Sequence, residues 1–288
     1  MISWLINLLI LSSIYSIVAI SMSILLSELG IFSMSYGALL GIASYTTSLC
    51  LLGGLSYTLS LILSLCTSGI FGIIITLTSF RIKSDYFIAA TLALQWIFGD
   101  VFVNATSITG GPAGLYGIPF PKLFGIEFSS SKSFLILSLL LLILSMYLLH
   151  RVKKSNFGSI LRAIKDDEIA VSSLGRNPYL FKSIVIIIAS IIAGFAGNLY
   201  STYLGVIEPT AFDLNTSILI SVIVIVGGFN FLKIVLSTLI LLSFPQLLMY
   251  LNVSSSIQGP LYQLLYGVII VVIILIQAIK NSMVSNKI

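Results

Sequence analysis

Charge is what this 288-residue sequence has least of: 8% of its residues are charged, only 9 of them acidic, whereas soluble domains carry about 25%. That scarcity, with 58% hydrophobic residues and a mean hydropathy of +1.15, excludes a soluble domain, a disordered chain and a coiled coil. Two cysteines, Cys50 and Cys66, are too few for a disulfide scaffold; both fall in apolar stretches and are expected to be buried thiols. No basic residue precedes Arg81, so the N-terminus lacks the n-region of a cleaved signal peptide and its apolar run is expected to be a retained span. One histidine, no nucleophile and base pair, no metal-ligand cluster and no phosphate-cradling Gly-Lys motif argue against catalysis and against a bound cofactor. The excess of 14 basic over 9 acidic residues bears on topology and not on nucleic acid.

What is present is a series of apolar runs, at about 4–26, 36–54, 57–79, 86–104, 133–149, 183–204, 214–231, 234–250 and 261–279. A span needs about 20 apolar residues. The expectation is therefore an all-α polytopic membrane protein of about nine transmembrane helices, a single domain over 1–288, with any energy-coupling or ligand-capture module on another polypeptide. Seven of the 14 basic residues lie between 150 and 182, which makes that loop cytoplasmic. Alternation from it places Arg81, Lys83, Lys233, Lys280 and Lys287 inside, and Glu208, Asp213 and the loop at about 105–131 outside. The N-terminus then lies outside, unless one of the first two segments is re-entrant.

Within the loop, SNFGSILRAIKDDEIAVSSLGRNP reads as a short helix capped by Ser155 or Asn156 and stopped by Gly175 and Pro178. Phe157, Leu161, Ile164, Val171 and Leu174 recur at helical spacing; Arg162 with Asp166 and Lys165 with Glu168 are candidate one-turn pairs. Two readings stand: a basic surface helix that sets topology, or a docking helix whose ridge, Leu161 and Ile164, enters a partner's groove. GIFSMSYGALLG permits either a broken helix whose free amides, with Ser33, Ser35, Tyr36 and Gly37, face a solute, or a short, tightly packed cytoplasmic turn. TSITGGPAGLYGIP, with Thr109, Gly110 and Gly111, is either a plain external connection or a mouth that guides solute. Asp100, Glu208 and Asp213 are either intramembrane functional carboxylates or solvated span-end residues, and His150 an interfacial anchor.

Gly158, Leu161, Arg162, Ala163, Ile164, Asp167, Glu168, Ala170, Leu174 and Gly175 resemble the coupling loop of ABC importer permeases. More closely, the chain resembles the M-type (second) permease subunit of branched-chain amino acid importers, the Liv family, which includes urea and amide importers. The likeness continues through AGFAGNLYSTYLGVIEPTAF, through Asp85, Tyr86, Phe87, Thr91, Leu92 and Ala93, through Thr109 to Pro119, and through Gly30, Ser33, Gly37, Ala38, Gly41, Ile42, Tyr45 and Thr46. Trp96, Gly99 and Tyr36 stand where the family commonly has Glu, Arg and His, and family members usually carry an earlier span. The resemblance implies a multi-pass permease subunit of a bacterial inner (cytoplasmic) membrane, with a second permease subunit, two cytoplasmic ATPase subunits, an extracytoplasmic solute-binding protein and membrane lipid as partners. It implies branched-chain amino acids as solute; urea or another amide, and an ion-coupled secondary transporter, are the alternatives.

Overall fold

The computed structural model describes residues 2–79, 84–123 and 125–250, and beyond these 261, 264, 265, 267–269, 271 and 272. Its helices are α1 (Ile2–Ile24), α2 (Tyr36–Leu52), α3 (Tyr57–Ser79), α4 (Ser84–Asn104), α5 (Thr106–Thr109), α6 (Ser131–Lys154), α7 (Asn156–Asp166), α8 (Glu168–Ser173), α9 (Pro178–Leu204), α10 (Leu214–Gly227) and α11 (Phe231–Tyr250). Among the described residues six helical segments are long and apolar enough to cross a membrane, and Tyr36–Leu52 and Phe231–Phe244 are shorter apolar helices. Most of the expected ninth segment, and the basic positions 81, 83, 280 and 287, lie outside the described residues.

The first apolar run is the axis of the bundle. α1 packs against α6, α9, α10 and α11, and 89% of its apolar window is buried, as an all-round apolar helix requires. Three of its buried serines return their hydroxyls to the helix: Ser13 to the Ile10 carbonyl, Ser21 to Val18 and Ser23 to Ile20, each at 2.7 Å. It widens into a π turn over Leu25–Leu29 and stops at Gly30, whose left-handed backbone returns its N–H to the Leu26 carbonyl.

A second layer is built on small residues. α2, α3 and α9 approach closely where Gly72 meets Ser190, Gly194 meets Ser68 and Gly197 meets Ala43, the contact mode available to helices that lipid cannot press together. Asn198 closes this layer by accepting from the Tyr57 hydroxyl (2.6 Å) and donating to Thr47 Oγ1 (3.2 Å). Cys50 is half-buried and Cys66 exposed, so the expected buried pair is corrected: Cys66 sits on the outward side of α3, where an apolar thiol is as well placed as a leucine.

At the end of the bundle opposite the basic loop, the 105–131 connection folds over the α9 to α10 turn. β1 (Leu115–Tyr116) pairs antiparallel with β4 (Val206–Ile207), and β2 (Lys122–Leu123) with β3 (Ile126–Glu127). Ile118 adds an N–H bond of 3.1 Å to the Gly205 carbonyl. Asp213 caps α10 by accepting from the Thr216 N–H at 3.1 Å, while Asp100 and Glu208 are exposed. Labelling tests this two-ended arrangement. With Cys50 and Cys66 replaced, Ser173→Cys is expected to react with an impermeant thiol reagent from the cytoplasmic side only, and Ala113→Cys from the external side only; labelling of both from one side excludes it.

Candidate coupling site

The basic loop folds as a helical pair fastened to the bundle. Ser155 ends α6 and caps α7, its Oγ accepting from the Gly158 N–H at 3.3 Å. The two helices meet so closely that a Cβ at Gly158 would lie 2.7 Å from the Val152 carbonyl oxygen. Asp167 breaks the expected single helix in two. Its backbone is extended and its Oδ1 accepts from the N–H groups of Ile169 (2.9 Å) and Ala170 (3.0 Å), which starts α8. Gly175, at φ +77°, ends the unit, and Asn177 caps α9 ahead of Pro178.

The orientation of α7 reverses one expectation. Leu161 is 0% and Ile164 4% exposed, packed with Gly158 toward the π turn that ends α1 and toward α6 and α9. They therefore cannot be a ridge offered to another protein. The apolar side chains left in solvent are Ile169 at 80% and Leu174 at 81%. Arg162, Ala163 and Ala170 are exposed too, whereas Val171 turns inward.

The charges are also paired differently from the one-turn expectation. Arg162 Nη1 donates to Glu28 Oε2 at 2.7 Å, Lys153 Nζ lies 3.2 Å from Glu28 Oε1, and Lys165 Nζ donates to the Ser27 carbonyl at 3.1 Å. Glu168 accepts from Lys182 at 2.6 Å, tying α8 to α9. The physical reason is burial. An exposed one-turn pair contributes about 0.3 to 0.5 kcal/mol, whereas the Glu28 side chain is only 2% exposed and as a buried carboxylate requires cationic partners. Glu28 was missed in the sequence, although it carries the only charged side chain among residues 1–80, a signal that marks an intramembrane or span-end carboxylate.

From Glu28 the chain reaches the interior through a non-helical strap, residues 30–35. α2 begins level with the middle of α4, because the Ala38 N–H donates to Gln95 Oε1 at 2.6 Å and the Gly37 N–H to Ser217 Oγ at 2.8 Å. Gln95 also accepts from Ser217 (2.9 Å) and donates to the Phe212 carbonyl (2.8 Å); Met34 N–H reaches Thr91 Oγ1 at 3.0 Å. Helix 36–54 as a full span is thus corrected to a shorter helix that starts inside the bundle. The interruption is real, and the Met34, Gly37 and Ala38 amides in it are taken up by side chains of α4 and α10. Ser33 and Ser35 bond each other at 3.0 Å, and both, with Tyr36, are buried. Thr109, Gly110 and Gly111 are not brought near them. They belong to the cover at the end of the bundle opposite the basic loop, where Thr109 Oγ1 accepts from the Gly111 N–H at 3.2 Å. Gln95 and Ser217 carried no sequence signal, being uncharged polar residues within apolar runs.

A helical bundle in which, among the described residues, six segments are long and apolar enough to cross a membrane, with an amphipathic helical pair latched to its axis, has the architecture of a multi-pass membrane protein. Residues 4–274 match the model of the family described as branched-chain amino acid transport system / permease component, and the chain belongs to that family. It is 31% identical over 239 residues to the high-affinity branched-chain amino acid transport system permease protein LivM of Salmonella typhimurium, covering 75% of this chain and 56% of that protein. It is 30% identical over 242 residues to the LivM protein of Escherichia coli, 76% and 57% of the two chains. The chain thus spans little more than half the length of these curated relatives. A solved structure, PsaBC from Streptococcus pneumoniae in complex with Fab, is similar at a TM-score of 0.46 and 15% identity over 93% of this chain and 89% of that one.

Proposed function

We propose that the chain is the transmembrane permease subunit of an ATP-driven importer of branched-chain amino acids, acting with a second permease subunit, two cytoplasmic ATPase subunits and an extracytoplasmic solute-binding protein. The observation that carries this reading is the latch of α7 on Glu28. A loop that only sets topology needs no buried carboxylate at the end of the bundle's axis, whereas a loop that receives force from an ATPase needs a stiff attachment to the helices it moves.

On this reading the residues from Gly158 to Gly175 divide into two roles. Gly158, Leu161, Ile164 and Arg162 fix the helical pair to the bundle; Ile169 and Leu174, flanked by Ala170 and the turn at Gly175, meet the ATPase. Displacement of the pair is delivered to α1 through Glu28 and along the 30–35 strap to the start of α2, where hydrogen bonds to Gln95 and Ser217 are exchanged between outward and inward states. The path runs beside Ser33, Ser35, Tyr36 and Gly37, buried in the present state, and enters past Thr109, Gly110 and Gly111.

Uptake into vesicles containing all subunits is expected to require ATP and to survive collapse of ion gradients, with leucine, isoleucine or valine competing and urea not. Uptake that follows an ion gradient without ATPase subunits supports a secondary transporter instead. Ile169→Asp and Leu174→Asp are expected to abolish copurification of the ATPase at normal membrane abundance, since loss of a central apolar anchor costs about 2 kcal/mol or more. Ser172→Ala is the control. Unchanged copurification and uptake in both Asp variants exclude this docking face.

A further inference from the structure

A cavity of about 420 Å³ lies at the cytoplasmic end of the bundle, between the end of α6 and the turn that joins α10 to α11. His150, Lys153 and Lys154 line one side, and Met146, Phe229 and Leu232 supply apolar walls. Among the described residues no carboxylate lines it. His150 and Lys154 are one turn apart on α6 and both exposed, so they project together. Lys153 is shared with Glu28 at 3.2 Å and reaches the Phe229 carbonyl at 3.5 Å. Lys165 lies 5.6 Å from the centre of the Phe229 ring and adds to the positive field.

The surroundings distinguish what could enter. Ile143 and Tyr147 on α6, 65% and 58% exposed, and Leu236 and Ile240 on α11, 58% and 68% exposed, form apolar stripes that run from the cavity toward the bilayer. An occupant must therefore present an anion at the membrane boundary and hydrocarbon immediately above it. A soluble anion satisfies only the first demand, and an apolar helix of another subunit only the second.

We propose that this cavity binds the phosphate-bearing headgroup of an anionic phospholipid of the cytoplasmic leaflet, with His150 and Lys154 as the principal donors and the acyl chains lying along the α6 and α11 stripes. The site is independent of the transport reading and requires only the bundle and its orientation.

Native mass spectrometry of the purified full chain, with whatever subunits accompany it, tests the site using phosphatidylglycerol and phosphatidylcholine as probes. The wild-type protein is expected to retain phosphatidylglycerol in preference to phosphatidylcholine. A basic residue beside an anionic surface is worth about fivefold in binding, so His150→Gln with Lys154→Gln should lower phosphatidylglycerol retention by at least about that factor and leave phosphatidylcholine retention unchanged. Lys154→Arg should retain the lipid, which separates loss of charge from misfolding. Lys132→Gln, at the external start of α6, should have no effect. Equal retention of the two lipids, unchanged retention in the double variant, or full displacement by millimolar inorganic phosphate overturns the proposal; the last result would make it a soluble-anion site.

Discussion

Leu161→Asp is expected to release the α7 and α8 pair from the bundle and to lower the amount of the chain in the membrane several-fold. Leu161 is fully buried against the chain itself, so the substitution acts before any partner is met. Loss of a buried leucine costs about 2 to 5 kcal/mol, and an unpaired buried carboxylate several more. The total approaches the 5 to 15 kcal/mol that holds most domains together. The cheapest escape is detachment of α7, which exposes the leucine position to water and breaks the contacts of Arg162 and Lys165 with Glu28 and Ser27. Trypsin added from the cytoplasmic side should then cut at Arg162 or Lys165 while leaving the wild-type loop intact, and abundance should be read in parallel. Leu174→Asp, 81% exposed in the parent, should leave both readouts at wild type. An intact loop and normal abundance in Leu161→Asp would return this residue to the partner-facing surface.

The second large effect is expected at Gly197. A Cβ there would fall on the Ala43 methyl, 2.7 Å from the Leu40 carbonyl oxygen and 2.9 Å from the Ser44 nitrogen. Two of these three neighbours are backbone and cannot rotate away. Gly197→Val must force α2 from α9 and break the 3.0 Å bond from Ser44 Oγ to the Gly197 carbonyl. Overpacking usually costs about 1 to 3 kcal/mol, and a rigid branched side chain at a helix crossing belongs at the upper end or above. The thermal midpoint in detergent should drop by many degrees, with Gly197→Ala between Val and wild type. Gly99 offers the contrast: no atom lies within 4 Å of its Cβ position, so Gly99→Ala should be neutral or slightly stabilising, since alanine favours helix by about 1 kcal/mol. Similar behaviour at the two glycines would contradict the close α2 and α9 contact.

The apolar runs were legible because a span is written in one dimension: length and hydropathy suffice, and α3, α4 and α9 begin or end within a few residues of expectation. The α7 and α8 pair was legible at its ends, through Ser155, Gly175 and Pro178, for the same local reason. Its break at Asp167 was not, since an aspartate within a run of charges reads equally as a solvated helical residue. Nor was the direction of its apolar face. Periodicity reports that Leu161 and Ile164 share a side, but the bundle and a partner are both apolar, and spacing does not distinguish them. Glu28 lies 134 residues from Arg162 in sequence, and Gln95 lies 57 from Ala38 and 122 from Ser217. Such pairs are fixed by tertiary packing and leave no local pattern. The shortened α2 follows from the same cause: the composition of 36–54 is that of a span, and only the bonds to α4 and α10 place its start inside the bundle.

Glu28 is where the α7 and α8 pair meets the axis of the bundle, and the number of solute molecules carried per ATP hydrolysed tests the proposed coupling role most directly. Glu28→Gln keeps the shape of the side chain but removes its charge and replaces one acceptor oxygen with a donor amide, so Arg162 and Lys153 are no longer both held. In vesicles containing the complete importer, the variant should keep its ATPase subunits and its ATP hydrolysis while uptake per ATP falls about tenfold, the ratio that corresponds to about 1.4 kcal/mol of lost coupling. Arg162→Gln should lower the ratio in the same direction but by less, because Lys153 still holds Glu28, and the double variant should be no worse than Glu28→Gln, which already removes both links. Wild-type uptake that needs no ATP would overturn the transport reading itself. ATP-driven uptake in the wild type, with an unchanged ratio in Glu28→Gln, would leave the importer standing and contradict the latch.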